Sequence, residues 1–130
     1  MNARTPPREQ FLPLTPAVFH ILLALAEEDR HGYAIMRYVE ETTEGAIKMG
    51  AGTLYGTIKR LLRARMIEQS DERPDRRLDD ERRRYYRLTS VGRRVLEAEV
   101  DRYSKTVKLA RAPSGTGLNE RLFAAVFRAS

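Results

Sequence analysis

Apolar residues recur in patterns typical of helices in several segments of the chain, which polar or glycine-containing stretches separate. The first helix is predicted to begin at Thr15 and Pro16, because a threonine hydroxyl can accept a hydrogen bond from an early backbone N–H and proline is tolerated in the first helical turn. Residues 18–26 are almost wholly apolar, so the helix must be buried on more than one side. This pattern favours a partner subunit that buries part of its surface. A second helix is predicted within residues 31–43, with Gly32 breaking the path between the two.

The segment from about Gly52 to Arg65 is predicted to form the third helix. Its apolar stripe, at spacing i, i+4, i+7 and i+8, consists of Leu54, Ile58, Leu61 and Leu62. If that stripe faces the core, the positions turned outward are Thr53, Gly56, Thr57, Arg60 and Arg63. Tyr55 and Lys59 are then stacked at i, i+4 on a flank of the helix.

Alternation with period 2 follows the third helix: Tyr86 and Leu88 share one face, and Tyr85 and Arg87 share the other. Two short antiparallel strands joined by a long charged tip are therefore predicted. Thr89 then resembles the cap of a fourth helix that runs to about residue 112. Its apolar positions follow the spacing of a coiled-coil seam and call for a second helix: Leu96, Val100, Tyr103, Val107 and Ala110.

These elements predict a mainly α fold with a small two-stranded β ribbon, namely a winged helix-turn-helix plus a C-terminal dimerisation helix. The predicted organisation is a flexible N-terminal arm (1–13), a winged helix-turn-helix DNA-binding domain (14–89), a dimerisation helix (90–112), and a linker with a short amphipathic helix (113–130).

Composition excludes several classes of function. The 130 residues include no cysteine and two histidines, which rules out disulfides, thiol chemistry and most zinc sites. No catalytic constellation can be recognised, so neither an enzyme nor a cofactor is expected. No apolar run reaches the length of a membrane span and no secretory leader is recognised, so we expect a cytoplasmic protein with no membrane partner.

Charge distribution is more informative than the net charge of +6, since many soluble proteins are basic. Between the acids at Glu44 and Glu68, the chain carries only basic charges, at Lys48, Lys59, Arg60, Arg63 and Arg65. In a winged helix the third helix enters a DNA major groove and the ribbon lies along the backbone or minor groove. The predicted contacts are Thr53, Thr57 and Lys59 with bases or phosphates, Arg60 and Arg63 with phosphates, and Arg82, Arg83 and Arg84 from the ribbon tip.

Three stretches together resemble the PadR family of bacterial transcriptional regulators across residues 14–110: "LTPAVFHILLALAEEDRHGYAIMRYVEE", "GTLYGTIKRLLRARMIE" and "RRRYYRLTSVGRRVLEAE". The resemblance implies a homodimer formed through the first and last helices, repression at an inverted-repeat operator in double-stranded DNA, and release by a small aromatic or drug-like effector. It maps DNA contacts onto Tyr33, Thr53, Tyr55, Lys59 and the ribbon arginines. The chain departs from the family at Arg65 and Met66, where a glycine is frequent, and in the acids of the ribbon tip.

The predicted dimer interface comprises Phe19, Ile21, Leu22, Leu96, Val100, Tyr103 and Val107. Phe19, His20 and Tyr103 form a candidate effector pocket, with packing within the core as the alternative reading of the same side chains. The alternative function is a winged-helix protein–protein interaction module in which DNA binding is secondary.

Overall fold

The computed structural model describes residues 12–70, 84–112 and 124–125. In chain order the elements are α1 (Pro16–Glu27), β1 (Arg30–His31), α2 (Gly32–Thr42), α3 (Ala51–Arg63), β2 (Ile67–Ser70), β3 (Tyr85–Leu88) and α4 (Ser90–Arg111). The predicted mainly α winged-helix fold is confirmed. The predicted ribbon tip, most of the predicted N-terminal arm and nearly all of the predicted C-terminal segment lie outside the described residues. In the described ranges, no helix combines the length and apolar character needed to cross a membrane.

The ribbon belongs to an antiparallel sheet of three strands in the order β1-β3-β2. Ile67 pairs with Leu88 and Ser70 with Tyr85, as expected for a hairpin, and Arg30 pairs with Tyr86 on the other side of β3. The third strand was not predicted, because two residues cannot display a period of 2. Pairing with β3 defines this strand, and it ties the start of α2 to the ribbon.

Side-chain caps define the helix starts where the sequence predicted them. The Thr15 hydroxyl accepts a hydrogen bond from the Val18 amide at 3.2 Å, and the Thr89 hydroxyl accepts one from the Gly92 amide at 3.1 Å. Each cap satisfies one of the backbone donors that a helix start leaves without an intrahelical partner.

The end of α3 forms without glycine, at a cost in backbone conformation. Arg65 adopts a positive φ of 60°, in the left-handed region that most side chains avoid. The Arg65 amide donates to the Leu62 carbonyl at 3.1 Å, and the Met66 amide donates to the Leu61 carbonyl at 3.0 Å. This is the hydrogen-bond pattern of a Schellman motif, which usually places glycine at the left-handed position.

The core lies between α1, α2, α3, the sheet and the first half of α4, and it encloses side chains that were predicted at the dimer interface. Ile21 and Leu22 are each 0% exposed and Leu96 is 5% exposed within a single protomer. Their assignment to the interface was therefore wrong, because a side chain enclosed by its own chain has no surface left for a partner. The apolar circumference of α1 is covered largely by the rest of the protomer.

Two close contacts hold α4 against the winged helix-turn-helix of residues 14–89, called the winged body below. A Cβ at Gly92 would lie 2.0 Å from the Met66 carbonyl oxygen, so only glycine allows this approach. Farther along α4, the carboxylate of Glu99 is fully buried and accepts hydrogen bonds from the Leu14 amide at 2.7 Å and from the Arg102 guanidinium. The Arg102 hydrogen bond lowers the pKa of Glu99 below its ordinary value, which outweighs the opposing effect of burial.

Candidate nucleic-acid interface

The outer face of α3 combines cationic side chains with exposed glycines. Leu54, Ile58 and Leu61 are buried beneath it. Exposed positions on this helix include Gly52, Thr53, Gly56, Lys59, Arg60 and Arg63. A Cβ added at Gly52 or Gly56 would meet nothing within 4 Å, so the protein itself gives no steric reason for glycine at either position.

Thr57 does not belong to this face, contrary to the prediction. Its side chain is buried, and its hydroxyl donates to the Thr53 carbonyl at 2.8 Å. The same hydroxyl accepts a hydrogen bond from the Arg60 guanidinium at 3.2 Å. Thr57 therefore cannot reach DNA directly, and its role in the structure is to hold Arg60.

The three cations of α3, like the exposed cations at both ends of α4, have no acidic partner among the described residues. The cations that form ion pairs with described acids are Arg30, Arg37, Lys48, Arg87 and Arg102. No described acid forms an ion pair with Lys59, Arg60 or Arg63. Their charges are thus available to an external anion.

Tyr55 and Tyr33 flank α3 in different ways. Tyr55 is half-buried against the start of α2, where a Cβ on Gly32 would lie 2.6 Å from its hydroxyl oxygen. Glycine at position 32 is what allows this packing. Tyr33 is 56% exposed and stacks on His31 with ring centroids 6.5 Å apart. The structure therefore places Tyr33, more than Tyr55, where an external partner could reach it.

His31 has a definite structural role at the start of α2. Its Nδ1 accepts a hydrogen bond from the Ala34 amide at 3.1 Å and so caps α2. An imidazole can accept at Nδ1 only when that nitrogen carries no proton. His31 therefore caps α2 in its neutral form.

The predicted ribbon contacts lie only partly within the described residues. Arg84 is exposed immediately before β3, whereas Arg82 and Arg83 lie outside the described residues. Arg87 is paired across the strands with Glu68 at 3.1 Å. Within residues 12–64, the cations that have no acidic partner among the described residues all lie on α3.

Helix α4 leaves the winged body with apolar side chains uncovered. Val100 is 44% exposed, Tyr103 36% and Val107 46%, and these three residues lie on one side of the helix. Tyr103 contacts Phe19 of α1, with ring centroids 4.9 Å apart. The exposed seam of α4 is thus continuous with the α1 surface beside it.

His20, beside Phe19, carries an unsatisfied polar atom. Its Nδ1 is buried and has no hydrogen-bond partner among the described residues. The His20 and Phe19 rings meet edge to face, with centroids 5.4 Å apart. The described residues contain no group of three or more His, Asp or Glu side chains that could hold a metal ion.

Comparison with known proteins agrees with this geometry. The family model described as "Transcriptional regulator PadR-like family" matches residues 21–98, more than half of the chain. A transcriptional regulator from Clostridium thermocellum is 26% identical and superposes with a TM-score of 0.58, covering 71% of this chain and 84% of that one. RosR from H. salinarum is 28% identical, with a TM-score of 0.58 over 92% of this chain and 97% of that one. A PadR family transcription regulator from Clostridium difficile R20291 is 25% identical, with a TM-score of 0.55 over 72% and 95% of the two chains.

Proposed function

Because the chain belongs to the PadR-like family of transcriptional regulators, and so to DNA-binding regulators rather than enzymes, we propose that it acts as a homodimeric repressor. In this proposal residues 14–89 read an inverted-repeat operator and residues 90–112 join the two subunits. The observation that carries the proposal is the set of exposed cations on α3, Lys59, Arg60 and Arg63, which form no ion pair with any described acid.

The proposed DNA contacts fall into two groups, those on α3 and those on its flank and the ribbon. Thr53 and Lys59 contact base edges or phosphates from the exposed face of α3, while Arg60 and Arg63 contact phosphates. Tyr33 and Tyr55 donate hydroxyl hydrogen bonds to the backbone from the flank, and Arg82, Arg83 and Arg84 follow the backbone or minor groove from the ribbon.

The proposed dimer buries the uncovered seam of α4. A second copy packed on Val100, Tyr103 and Val107 would remove three apolar side chains from water, and Phe19 extends the same surface. Two-fold symmetry then presents two copies of α3, so half-site centres about 34 Å apart, one helical turn, are expected. Occupancy of an operator at a promoter represses by blocking polymerase.

The proposed effector is a small aromatic or drug-like molecule bound where α1 meets α4. Phe19 and Tyr103 supply aromatic surface, and the unsatisfied Nδ1 of His20 can accept a hydrogen bond from a ligand hydroxyl. A ligand bound there at the subunit junction would change the relative orientation of the two α3 helices. Loss of operator affinity follows from that change.

The decisive experiment starts from genomic fragments that the purified protein selects, with affinity then measured by fluorescence anisotropy. Lys59→Ala and Arg60→Ala should each weaken binding about tenfold and reduce the magnitude of the slope of log K against log salt by about 1.8, because each homodimer loses two phosphate contacts. Lys105→Ala removes the same charge from an exposed site on α4 and is the matched control. Full operator affinity in both α3 variants would refute the proposal that the exposed face of α3 reads the operator. Absence of DNA binding together with a defined protein partner would instead favour the interaction module.

Light scattering tests the dimer independently. Val107→Glu places a charge in the seam at an exposed position, so it should yield monomers with unchanged helical content. A wild-type protein that is monomeric at all concentrations would remove the basis for an inverted-repeat operator.

A further inference from the structure

A cleft of about 110 Å³ opens between α2 and the loop that precedes α3. It is lined by Tyr33, Met36, Arg37, Glu40, Lys48 and Met49. The α2 residues lie at i, i+3, i+4 and i+7, so they form one face of that helix. Lys48 and Met49 come immediately before Gly50, the N-cap of α3. The cleft therefore adjoins the end of α3 at which the proposed reading face begins.

The two cations of the cleft are held weakly. Arg37 pairs with Glu41 at 3.5 Å and Lys48 pairs with Glu40 at 3.8 Å, and all four side chains are at least half exposed. Exposed ion pairs of this kind contribute about 0–1 kcal/mol, so both cations can exchange a carboxylate for another anion at little cost. The side chains of Lys48 and Arg37 are thus available to an incoming phosphate.

The size of the cleft limits its occupant. Sites for organic ligands usually measure roughly 300–1,000 Å³, well above this volume. A single phosphate group is small enough, and the exposed Tyr33 beside it can donate a hydroxyl hydrogen bond. The start of α3 adds backbone N–H groups that no side chain caps, and the first turn carries no acid.

We infer that this cleft, with Lys48 and Arg37 as its cationic walls, receives a backbone phosphate of the DNA strand that borders the groove occupied by α3. The inference rests on the proposed function and extends its footprint from α3 to the outer face of α2. Glu40 opposes the contact, because it competes with the phosphate for Lys48. The cleft thereby sets affinity for DNA of any sequence and carries no information about bases.

Substitutions of opposite sign test the inference with the full-length protein. Lys48→Ala and Arg37→Ala should each weaken binding about three- to tenfold on operator and non-operator DNA alike, and each should reduce the magnitude of the salt slope by about 1.8, because a homodimer loses two contacts. Glu40→Gln should strengthen binding, because it releases Lys48. Lys105→Ala again controls for net charge, and thermal unfolding checks that each variant is folded.

The outcomes separate the inference from the proposed function. If wild-type protein binds no DNA, the proposed function fails and the inference fails with it. If wild type binds while Lys48→Ala and Lys105→Ala are indistinguishable, the inference alone is overturned. It is also overturned if inorganic phosphate stabilises the protein against heat in a Lys48-dependent manner while DNA affinity is unaffected by Lys48→Ala, since the cleft then takes a free anion.

Discussion

Replacing Gly56 with alanine should make the protein more stable and a weaker DNA binder. Glycine within a helix costs about 0.5–1 kcal/mol relative to alanine. A Cβ at this position would meet nothing within 4 Å, so the variant should keep that gain without strain. For a domain of this size, a gain of about 1 kcal/mol raises Tm by roughly 3–5 °C.

The loss of affinity follows from the fit of a helix in the major groove. A helix with its side chains is about 10–12 Å across and the groove is about 12 Å wide, so little clearance remains. A methyl group on the exposed face of α3 keeps the backbone at Gly56 away from the base edges. We expect a loss of about tenfold on operator DNA, or about 1.4 kcal/mol, and a smaller loss on non-operator DNA.

Differential scanning fluorimetry and fluorescence anisotropy measure the two effects on the same samples. Gly52→Ala provides a second test, because position 52 is equally open and lies one turn away. Suppose that the Gly56→Ala variant gains stability and binds operator DNA as tightly as wild type. That result would refute the close approach of the α3 backbone at Gly56 to the base edges.

Three further predictions concern single contacts. Arg65→Gly should raise the free energy of unfolding by about 1 kcal/mol, because it relieves the positive φ of 60°; an unchanged urea midpoint would contradict this. Thr57→Val should weaken DNA binding through loss of the hydroxyl that holds Arg60, yet have no effect when combined with Arg60→Ala; an equal effect in both backgrounds would show that Thr57 acts independently. The lowered pKa of Glu99 means that its stabilising contribution is complete above the ordinary glutamate pKa and is lost as pH falls through the lower folded value. The difference in urea stability between wild type and Glu99→Gln should therefore shrink below about pH 4.3, the ordinary value, and a difference independent of pH would refute the assignment.

Local chemistry made the helix boundaries predictable. Thr15 and Thr89 cap α1 and α4 through contacts within four residues, so the sequence contains all the information needed. The third strand could not be predicted because it depends on the pairing of Arg30 with Tyr86, which lies 56 residues later. Thr57 was misplaced because it lies at the edge of the apolar stripe. Its hydroxyl is satisfied by the Thr53 carbonyl one turn earlier, which makes its burial inexpensive.

The dimer prediction failed at some residues and remains a proposal at others for one physical reason. Periodicity identifies an apolar face but does not identify what covers it. On α1 the cover comes from the same protomer, which encloses Ile21 and Leu22 completely. On α4 the same kind of pattern passes beyond the winged body after Leu96, so Val100 and Val107 remain exposed.

Ion pairing distinguishes the cations that hold the fold from those available to a partner, which a net charge of +6 cannot do. Arg30 lies at one extreme: its guanidinium donates to the Ala24 carbonyl at 2.9 Å, pairs with Glu27 and lies 4.6 Å from the centre of the Tyr38 ring. Arg63 lies at the other, since it is exposed and no described acid pairs with it. The intermediate case is Lys48, whose long ion pair with Glu40 can be exchanged for another anion. Removing Arg30 should therefore change stability more than DNA affinity, and removing Arg63 should do the reverse, since free energy already committed to intramolecular contacts is not available for binding.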